Sequence, residues 1–383
     1  MASALLFVYG FVALITGVNG LRKPSPPTSR FPAIWLPAMI VGEAPWLYFI
    51  LRLAISGLLV TAGGLDLPMG QAGLALVAVA QIMQLESARR AYAGARRLGH
   101  RPVDVAWHQR ISSLPFRVPE TIERIEGFEY APGLGLDLYR ARGANGPSPT
   151  LIYVHGGGWG GGDPRRQFRT ITHHLAANGW VVLNIRYPLS PIATFPEHLV
   201  AVEQAIRWAR STGSEHGVDP MRVAIAGGSS GAHLAALAAL GTKEERVAAA
   251  VVLYGIYDFF NRNKTRFDWP LIPRNVMKTT PDLAPELYRS ASPIDQVHAS
   301  APPFLVVHGT HDSLVPIGES RHFAEALATV GGRVEMIEVA GAQHAFDALG
   351  GVRTRALAAL TESFLNRAVS ERHLPRGEGI MES

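Results

Sequence analysis

The chain has 383 residues, of which 48% are hydrophobic and 17% charged, with a formal net charge of +5. That length supports one large domain or two smaller ones, and so low a charged share points to membrane-embedded sequence. There is no cysteine, which excludes disulfides, a thiol nucleophile and thiolate metal sites but leaves the compartment open. No basic stretch is interleaved with aromatics, so no nucleic-acid partner is expected.

Residues 1–21 carry no charged side chain and are long enough to cross the hydrocarbon core, which takes roughly 20 residues of helix. The competing reading is a cleaved signal peptide. Against it, no Lys or Arg precedes the apolar run, and no small-x-small cleavage site follows before Arg22. A Pro- and Ser-rich linker over Arg22–Arg30 leads into a second apolar region, from Phe31 to about Leu85. Glu43, Arg52 and the turn sequence Gly63-Gly64-Leu65-Asp66-Leu67-Pro68 interrupt it. It reads as one span near Pro45–Ala62 and another near Leu67–Leu85. Arg52 is costly inside a span unless it snorkels, pairs with Glu43 or marks a misplaced boundary. A hydrophobic hairpin at the interface or packed on the rest of the protein is the alternative.

Arg22, Lys23 and Arg30 follow the first expected span, and Arg89, Arg90, Arg96, Arg97 and Arg101 follow the third, while the loop between the second and third holds only Asp66. The positive-inside bias places the N-terminus outside and everything after the third span in the cytoplasm. Arg89–Arg101 also reads as the solvated face of an amphipathic helix, because Ala88–Leu98 has helical character. Residues 1–100 are thus expected to be a membrane region of about three apolar helices, followed by a second domain over 101–383.

From about Pro102 the composition becomes that of a globular α/β domain. Thr121–Tyr130 and Leu134–Arg142 predict a hairpin, and Thr150–Val154 and Trp180–Arg186 predict strands. Pro196–Arg210 predicts a helix, Arg222–Ala226 a strand and Ser230–Gly241 a helix. Val247–Tyr254 and Pro303–Val307 predict two more buried strands. A helix over Pro316–Val330, a strand over Arg333–Val339 and a closing helix over Ala345–Arg367 complete the series. Alternating strands and helices imply a mostly parallel sheet with helices on both faces, and ligands of such sheets bind at the carboxyl ends of the strands.

The functional signals fall at those ends. Gly227-Gly228-Ser229-Ser230-Gly231 lies between a strand and an Ala/Leu-rich helix, the context of a nucleophile elbow. His155-Gly156-Gly157-Gly158-Trp159 follows a buried strand, and consecutive glycines offer approachable backbone N–H groups that suit a developing oxyanion. A phosphate-binding loop is the alternative, but the Lys-Ser/Thr of a nucleotide P-loop is missing. Asp312 follows one later strand and His344 another. The chain order Ser229, Asp312, His344 is that of α/β-hydrolase triads. His344 would serve as base for the Ser229 hydroxyl, and Asp312 would orient the imidazole.

Rival residues have plainer readings. His308 and His311 flank Asp312 too closely to reach Ser229 easily, and no third metal ligand accompanies them. His173, His174, His298 and His322 read as surface or structural. Asp258 reads as a helix cap or hydrogen-bonding residue, and His155 and Asp163 as organisers of the glycine loop.

From about Pro115 to Arg367 the chain resembles the hormone-sensitive-lipase-like branch of the α/β-hydrolases, in particular bacterial membrane-associated carboxylesterases. The motifs are His155-Gly-Gly-Gly-Trp159, Tyr187-Pro-Leu-Ser-Pro191 with Phe195-Pro196, Gly227-Gly-Ser-Ser-Gly-Ala-His233, His308-Gly-Thr-His-Asp-Ser-Leu-Val-Pro316 and His344-Ala-Phe346. The resemblance implies oxyanion donors at the N–H groups of Gly157, Gly158 and Ser230, with no cofactor and no metal. It implies a small-molecule or lipid ester as substrate. It does not extend to Met1–Leu98, whose apolar runs lead by themselves to the expectation of a multi-pass protein of a bacterial inner membrane, with the membrane as a further partner. A lipase is the nearest alternative; a serine peptidase or a non-catalytic ligand-binding relative stands further off. Gly228 departs from the family's usual Asp before the serine. The Asp258–Ala301 stretch, near 258–301, falls where the family carries a cap. Its Phe259, Phe260, Phe267, Trp269 and Leu271 suit either an aromatic lid or an ordinary packed excursion.

Overall fold

A computed structural model of the chain describes residues 1–22, 32–99, 118–241, 246–266 and 270–371. Lys23, Arg30, Arg101, the expected domain start near Pro102, and Phe267 and Trp269 of the cap lie outside the described residues.

The first helix, α1, spans Ala2–Leu21. A short helix α2 follows at Pro32–Glu43, where the sequence showed only continuous apolar character. Helix α3, Pro45–Leu59, is extended by a π-helical turn at Val60–Gly64, and α4 runs from Pro68 to Arg97. Among the described residues, Ala2–Leu21, Pro45–Gly64 and Pro68–Arg97 are long and apolar enough to cross a membrane, by length and composition. The Ala88–Leu98 helix and the third expected span are one continuous element, since no Pro or Gly cap breaks the chain at Leu85.

These helices bury their small residues. In α1, Ser3, Leu6, Gly10, Ala13 and Gly17 face inward, while Leu5, Phe7, Val8, Phe11, Val12, Ile15 and Val18 are exposed. That is the reverse of a helix packed on a water-soluble core. Small residues let the α1 and α4 backbones approach closely: a Cβ on Gly10 would lie 2.2 Å from the Gly73 carbonyl oxygen. The two helices run parallel, with Gly17 opposite Met83 and Arg90 donating to the Leu21 carbonyl at 3.1 Å.

Arg52 neither snorkels nor pairs with Glu43. It is 1% exposed and donates to the Ala80 carbonyl at 2.8 Å, to Thr16 Oγ1 at 3.2 Å and to the Ala13 carbonyl at 3.4 Å. Its guanidinium sits 4.6 Å over the Tyr48 ring. Five donors in a planar fork let one side chain tie three helices together. Glu43 pairs instead with Arg353, at 2.7 Å.

The remaining elements form one eight-stranded sheet in the order β1-β2-β4-β3-β5-β6-β7-β8. The strands are β1 (Ile122–Ala131), β2 (Leu134–Ala141), β3 (Ser148–Val154), β4 (Val181–Ile185), β5 (Val218–Gly228), β6 (Ala250–Leu253), β7 (Phe304–Gly309) and β8 (Val334–Val339). The hairpin β1–β2 pairs antiparallel to β4, and the others are parallel. Helices α5 (Arg169–Ala177), α6 (Glu197–Arg210), α7 (Ser230–Ala239), α8 (Pro285–Ser290), α9 (Gly318–Thr329) and α10 (Val352–Glu371) pack around it. Inward residues of neighbouring strands form an apolar core on each face. In register, Val154 lies beside Gly227 and Gly228 beside Leu253, so the carboxyl ends that bear the site are level.

One helix is added to the sequence reading, one is shortened, and the cap takes one of its two readings. Helix α5 was not apparent in the sequence, and it buries Ile171, Thr172, His173, Leu175 and Ala176. The closing helix divides into a 3-10 turn, Phe346–Leu349, and α10, because Gly350 takes the left-handed conformation (φ 63°) between them. In the cap, Phe259, Ile272, Val276, Met277 and Tyr288 are buried in the core on the α7 face; the described residues follow the packed-excursion reading.

The α1–α4 crossing gives a direct test. Gly10→Val is expected to lose about 1–3 kcal/mol through overpacking, read as a lower thermal midpoint of the detergent-solubilised protein. Gly57→Val, where a Cβ meets nothing within 4 Å, is expected to leave the midpoint unchanged.

Candidate active site

Strand β5 ends in the elbow. Ser229 has φ 55° and ψ −121°, a conformation that L-residues rarely adopt, and its N–H donates to the Leu253 carbonyl at 2.9 Å. Helix α7 starts at the next residue, pressed onto β3: a Cβ on Gly231 would lie 2.1 Å from the Val154 carbonyl oxygen. Ser230, as the first residue of α7, has no intrahelical acceptor for its N–H, and the helix dipole makes that end favourable for negative charge.

Ser229, His344 and Asp312 come together from three strand ends. His344 Nε2 lies 3.0 Å from Ser229 Oγ, and Nδ1 lies 2.7 Å from Asp312 Oδ2. The other Asp312 oxygen accepts from the N–H groups of Leu314 and Val315 at 2.9 and 2.8 Å. His308 does not reach Ser229. Its Nε2 donates to the Val315 carbonyl at 2.8 Å and lies 3.1 Å from Asp312 Oδ2, while Nδ1 accepts from the Ser320 hydroxyl at 2.7 Å. Burial by itself would raise the Asp312 carboxyl, but His344 and His308 outweigh it and hold the group well below the usual carboxylate range. An ionised Asp312 keeps the proton of His344 on Nδ1 and leaves Nε2 as the acceptor for Ser229.

The glycine loop lies against the serine: a Cβ on Gly156 would be 3.0 Å from Ser229 Cβ. Gly157 and Gly158 both have positive φ, 139° and 62°. Gln167, which sequence reasoning missed because nothing local marks it, accepts from the Gly156 N–H at 2.7 Å. His155 Nδ1 donates to the Gly156 carbonyl at 2.9 Å, and Tyr187 donates to the His155 carbonyl at 3.0 Å. Asp163 shapes the loop's far side by accepting from the Arg165 N–H at 2.8 Å. Trp159 Nε1 donates to His233 Nδ1 at 3.2 Å, and His233 Nε2 donates to the Ala291 carbonyl at 2.7 Å. A neutral imidazole can accept and donate in this way, and burial pulls its pKa down to about 3. His233 therefore links glycine loop, elbow helix and cap.

Gly228 also has a spatial reason. A Cβ there would lie 2.9 Å from Tyr254 Oη. The Tyr254 hydroxyl donates to Asp347 Oδ1, whose Oδ2 accepts from the Phe168 N–H at 3.1 Å. The Tyr254 ring packs 4.6 Å from the His344 ring, centroid to centroid. A tyrosine at the end of β6 thus fills the space that an acidic side chain before the serine would need. Asp347 was not singled out in the sequence; only the fold turns it inward. Asp258 is a hydrogen-bonding residue, accepting from the N–H groups of Phe260 and Arg262. Among the described residues, no group of three or more His, Asp or Glu side chains is placed to hold a metal ion.

Comparison with known proteins agrees with this architecture. A family model described as BD-FAE matches residues 136–327, a stretch that contains Gly157, Gly158, Ser229, Ser230 and Asp312 and ends before His344. The probable carboxylic ester hydrolase LipM of Mycobacterium tuberculosis is 37% identical over 261 residues, covering 64% of this chain and 61% of LipM. The esterase LipC of the same organism is 38% identical over 253 residues, covering 62% of each chain. The chain thus spans about three fifths of the length of these curated relatives. The propionate-bound structure of the esterase Est2 from Thermogutta terrifontis matches with a TM-score of 0.54 at 26% identity, covering 65% of this chain and 96% of that one. The fold is that of the α/β-hydrolases, and these relatives bear out the resemblance to carboxylesterases drawn from the motifs.

The buried histidines make stability pH-dependent. Burial lowers His173 and His198 to about 4 and His233 to about 3, whereas in the unfolded chain they titrate near ~6.5. Below that the unfolded state binds protons the native state refuses. Stability is therefore complete above about pH 6.5 and declines as the pH falls toward about 4. Urea midpoints measured from pH 8 to pH 5 are expected to fall, and His233→Gln is expected to flatten the slope by up to ~1.4 kcal/mol per pH unit.

Proposed function

The chain belongs to the BD-FAE family, and on that premise we propose that it is a membrane-anchored serine carboxylic ester hydrolase. The observation that carries the proposal is the relay from Ser229 Oγ through His344 to Asp312, with links of 3.0 and 2.7 Å. Its relatives LipM and LipC, named as a probable carboxylic ester hydrolase and an esterase, support the same reaction class.

In the proposed mechanism Ser229 Oγ attacks the ester carbonyl carbon as its proton passes to His344 Nε2. Asp312, ionised, stabilises the imidazolium without taking its proton. Charge on the carbonyl oxygen is held by the N–H groups of Gly157, Gly158 and Ser230. Collapse of the tetrahedral intermediate breaks the bond to the alcohol oxygen, which leaves with the proton from His344. Water then gives a proton to His344 Nε2 and attacks the acyl-enzyme. The second collapse breaks the Ser229–acyl bond, returns the proton to Oγ and releases the acid. Est2 holds propionate, which supports short acyl esters as the first substrates to try.

The helices Ala2–Leu21, Pro45–Gly64 and Pro68–Arg97 are proposed to cross the membrane, with their outward apolar side chains facing lipid. Parallel α1 and α4, with α3 between them in sequence, suit three spans of alternating direction. Arg22, Arg89, Arg90, Arg96 and Arg97 then share the end that leads to the catalytic domain, the cytoplasmic one under the positive-inside bias.

Detergent-solubilised protein is expected to hydrolyse p-nitrophenyl butyrate, with kcat falling on the order of 10⁴-fold or more in Ser229→Ala. A fluorophosphonate probe is expected to label Ser229 alone. Full turnover in Ser229→Ala refutes the mechanism. A reporter fused after Glu371 is expected to report the cytoplasm, and a periplasmic signal reverses the topology.

A further inference from the structure

Every candidate catalytic residue of the sequence lies beyond residue 100, yet α2 reaches His344. Trp35 Nε1 donates to the His344 backbone carbonyl at 2.9 Å, and the indole meets the imidazole edge-on, with centroids 6.3 Å apart at 72°. Tyr254 packs elsewhere on the same imidazole, at 4.6 Å. Trp35 and His344 are 309 residues apart in the chain.

A second contact anchors the far end of α2 at the other end of the histidine loop. Arg353 is 1% exposed and Glu43 2%. Arg353 Nη1 donates to Glu43 Oε1 at 2.7 Å and to the Gly42 carbonyl at 3.1 Å, while Nε donates to the Ala340 carbonyl at 3.1 Å. Ala340 follows the last residue of β8, and His344 lies four residues on. One end of this loop is thus tied to α2 through Arg353 and the other through Trp35. Between them Gln343 Oε1 accepts from the Ser313 N–H and hydroxyl at 3.2 and 3.0 Å.

The loop has reason to need such support. Gly341 and Ala345 both have positive φ, 70° and 55°, and an alanine in the left-handed region persists only where its surroundings hold it. A general base works only while it stays within about 2.6–3.2 Å of the proton it takes, and small displacements of a catalytic group are costly in rate.

We propose that α2 is part of the active site and that Trp35 is a positioning residue, holding the His344 loop so that the imidazole stays in line with Ser229. This rests on the reading of His344 as the general base. Catalysis then depends on the N-terminal region itself as well as on the α/β domain. Trp35 touches the base and none of the reacting atoms, so its loss acts on turnover more than on ester binding.

The test uses the full chain in detergent, with active sites counted by end-point fluorophosphonate titration and p-nitrophenyl butyrate as substrate. Trp35→Ala is expected to lower kcat per titrated site by on the order of 10- to 100-fold, with KM within about twofold of wild type. Trp35→Phe keeps an aromatic ring but loses the N–H donor, and is expected to lose roughly threefold to tenfold. A purely structural tryptophan would reduce the number of titrated sites and leave kcat per site unchanged; that result overturns the proposal. If Trp35→Ala yields no titratable sites, Trp35→Phe decides: a lower kcat per site supports the assignment, and wild-type kcat refutes it. Wild-type protein that neither turns over the ester nor labels at Ser229 refutes the hydrolase reading, whereas an active wild type with unaffected variants refutes only the role of Trp35.

Discussion

The 2.7 Å bond between His344 Nδ1 and Asp312 Oδ2 is the constraint on which the site depends. An imidazole has two nitrogens, and the proposed chemistry needs the unprotonated one toward Ser229. Fixing Nδ1 as a donor decides that. The carboxylate can do so only while ionised, and its own surroundings see to it: two backbone N–H groups on one oxygen and His308 beside the other. Desolvation of Asp312 would otherwise favour its neutral form. The strand ends that deliver these groups are level because the parallel ladders β5–β6, β6–β7 and β7–β8 keep consecutive registers, so the sheet acts as the ruler for the relay.

Around the relay the protein uses neutral polar side chains to join elements whose backbones cannot pair. His233 accepts from Trp159 and donates to Ala291, and Gln167 accepts from the Gly156 N–H and donates to its carbonyl. A charged group in either place would suffer desolvation without a counter-ion; a neutral imidazole or amide supplies both a donor and an acceptor. The cost is sensitivity to acid, because each buried neutral histidine opposes protonation that the unfolded chain accepts.

The N-terminal helices follow a different logic. Their buried faces are mostly small or polar, and most exposed side chains of α1 are large and apolar. Close backbone approach at Gly10 and the threefold donation from Arg52 replace the packing of large side chains. Helix α4 continues without a break from this bundle to the α/β domain, where Gly94 sits against the Ala340 carbonyl. With α2 on the His344 loop, bundle and α/β domain meet at the loop that carries His344.

The sequence by itself determined the alternation of strands and helices, the strained serine at a strand–helix turn, the order Ser229, Asp312, His344, and three long apolar stretches. Each of these is a local pattern: a period of hydrophobicity, a turn chemistry, or a position just past a strand, and such patterns survive without knowledge of contacts. The helix α5 escaped because Gly and Arg residues precede a short segment with few apolar markers. The closing helix starts later than its apolar pattern suggests because the left-handed Gly350 interrupts that pattern. Other features were decided only by tertiary structure. Arg52 found backbone carbonyls of two other helices instead of Glu43, Glu43 found Arg353, Gln167 found the glycine loop, Tyr254 took the space beside Gly228, and Trp35 found His344. In each, a side chain meets a group on another element, most of them remote in the chain, and the partner is chosen by which elements pack together; spacing along a sequence carries no record of that choice.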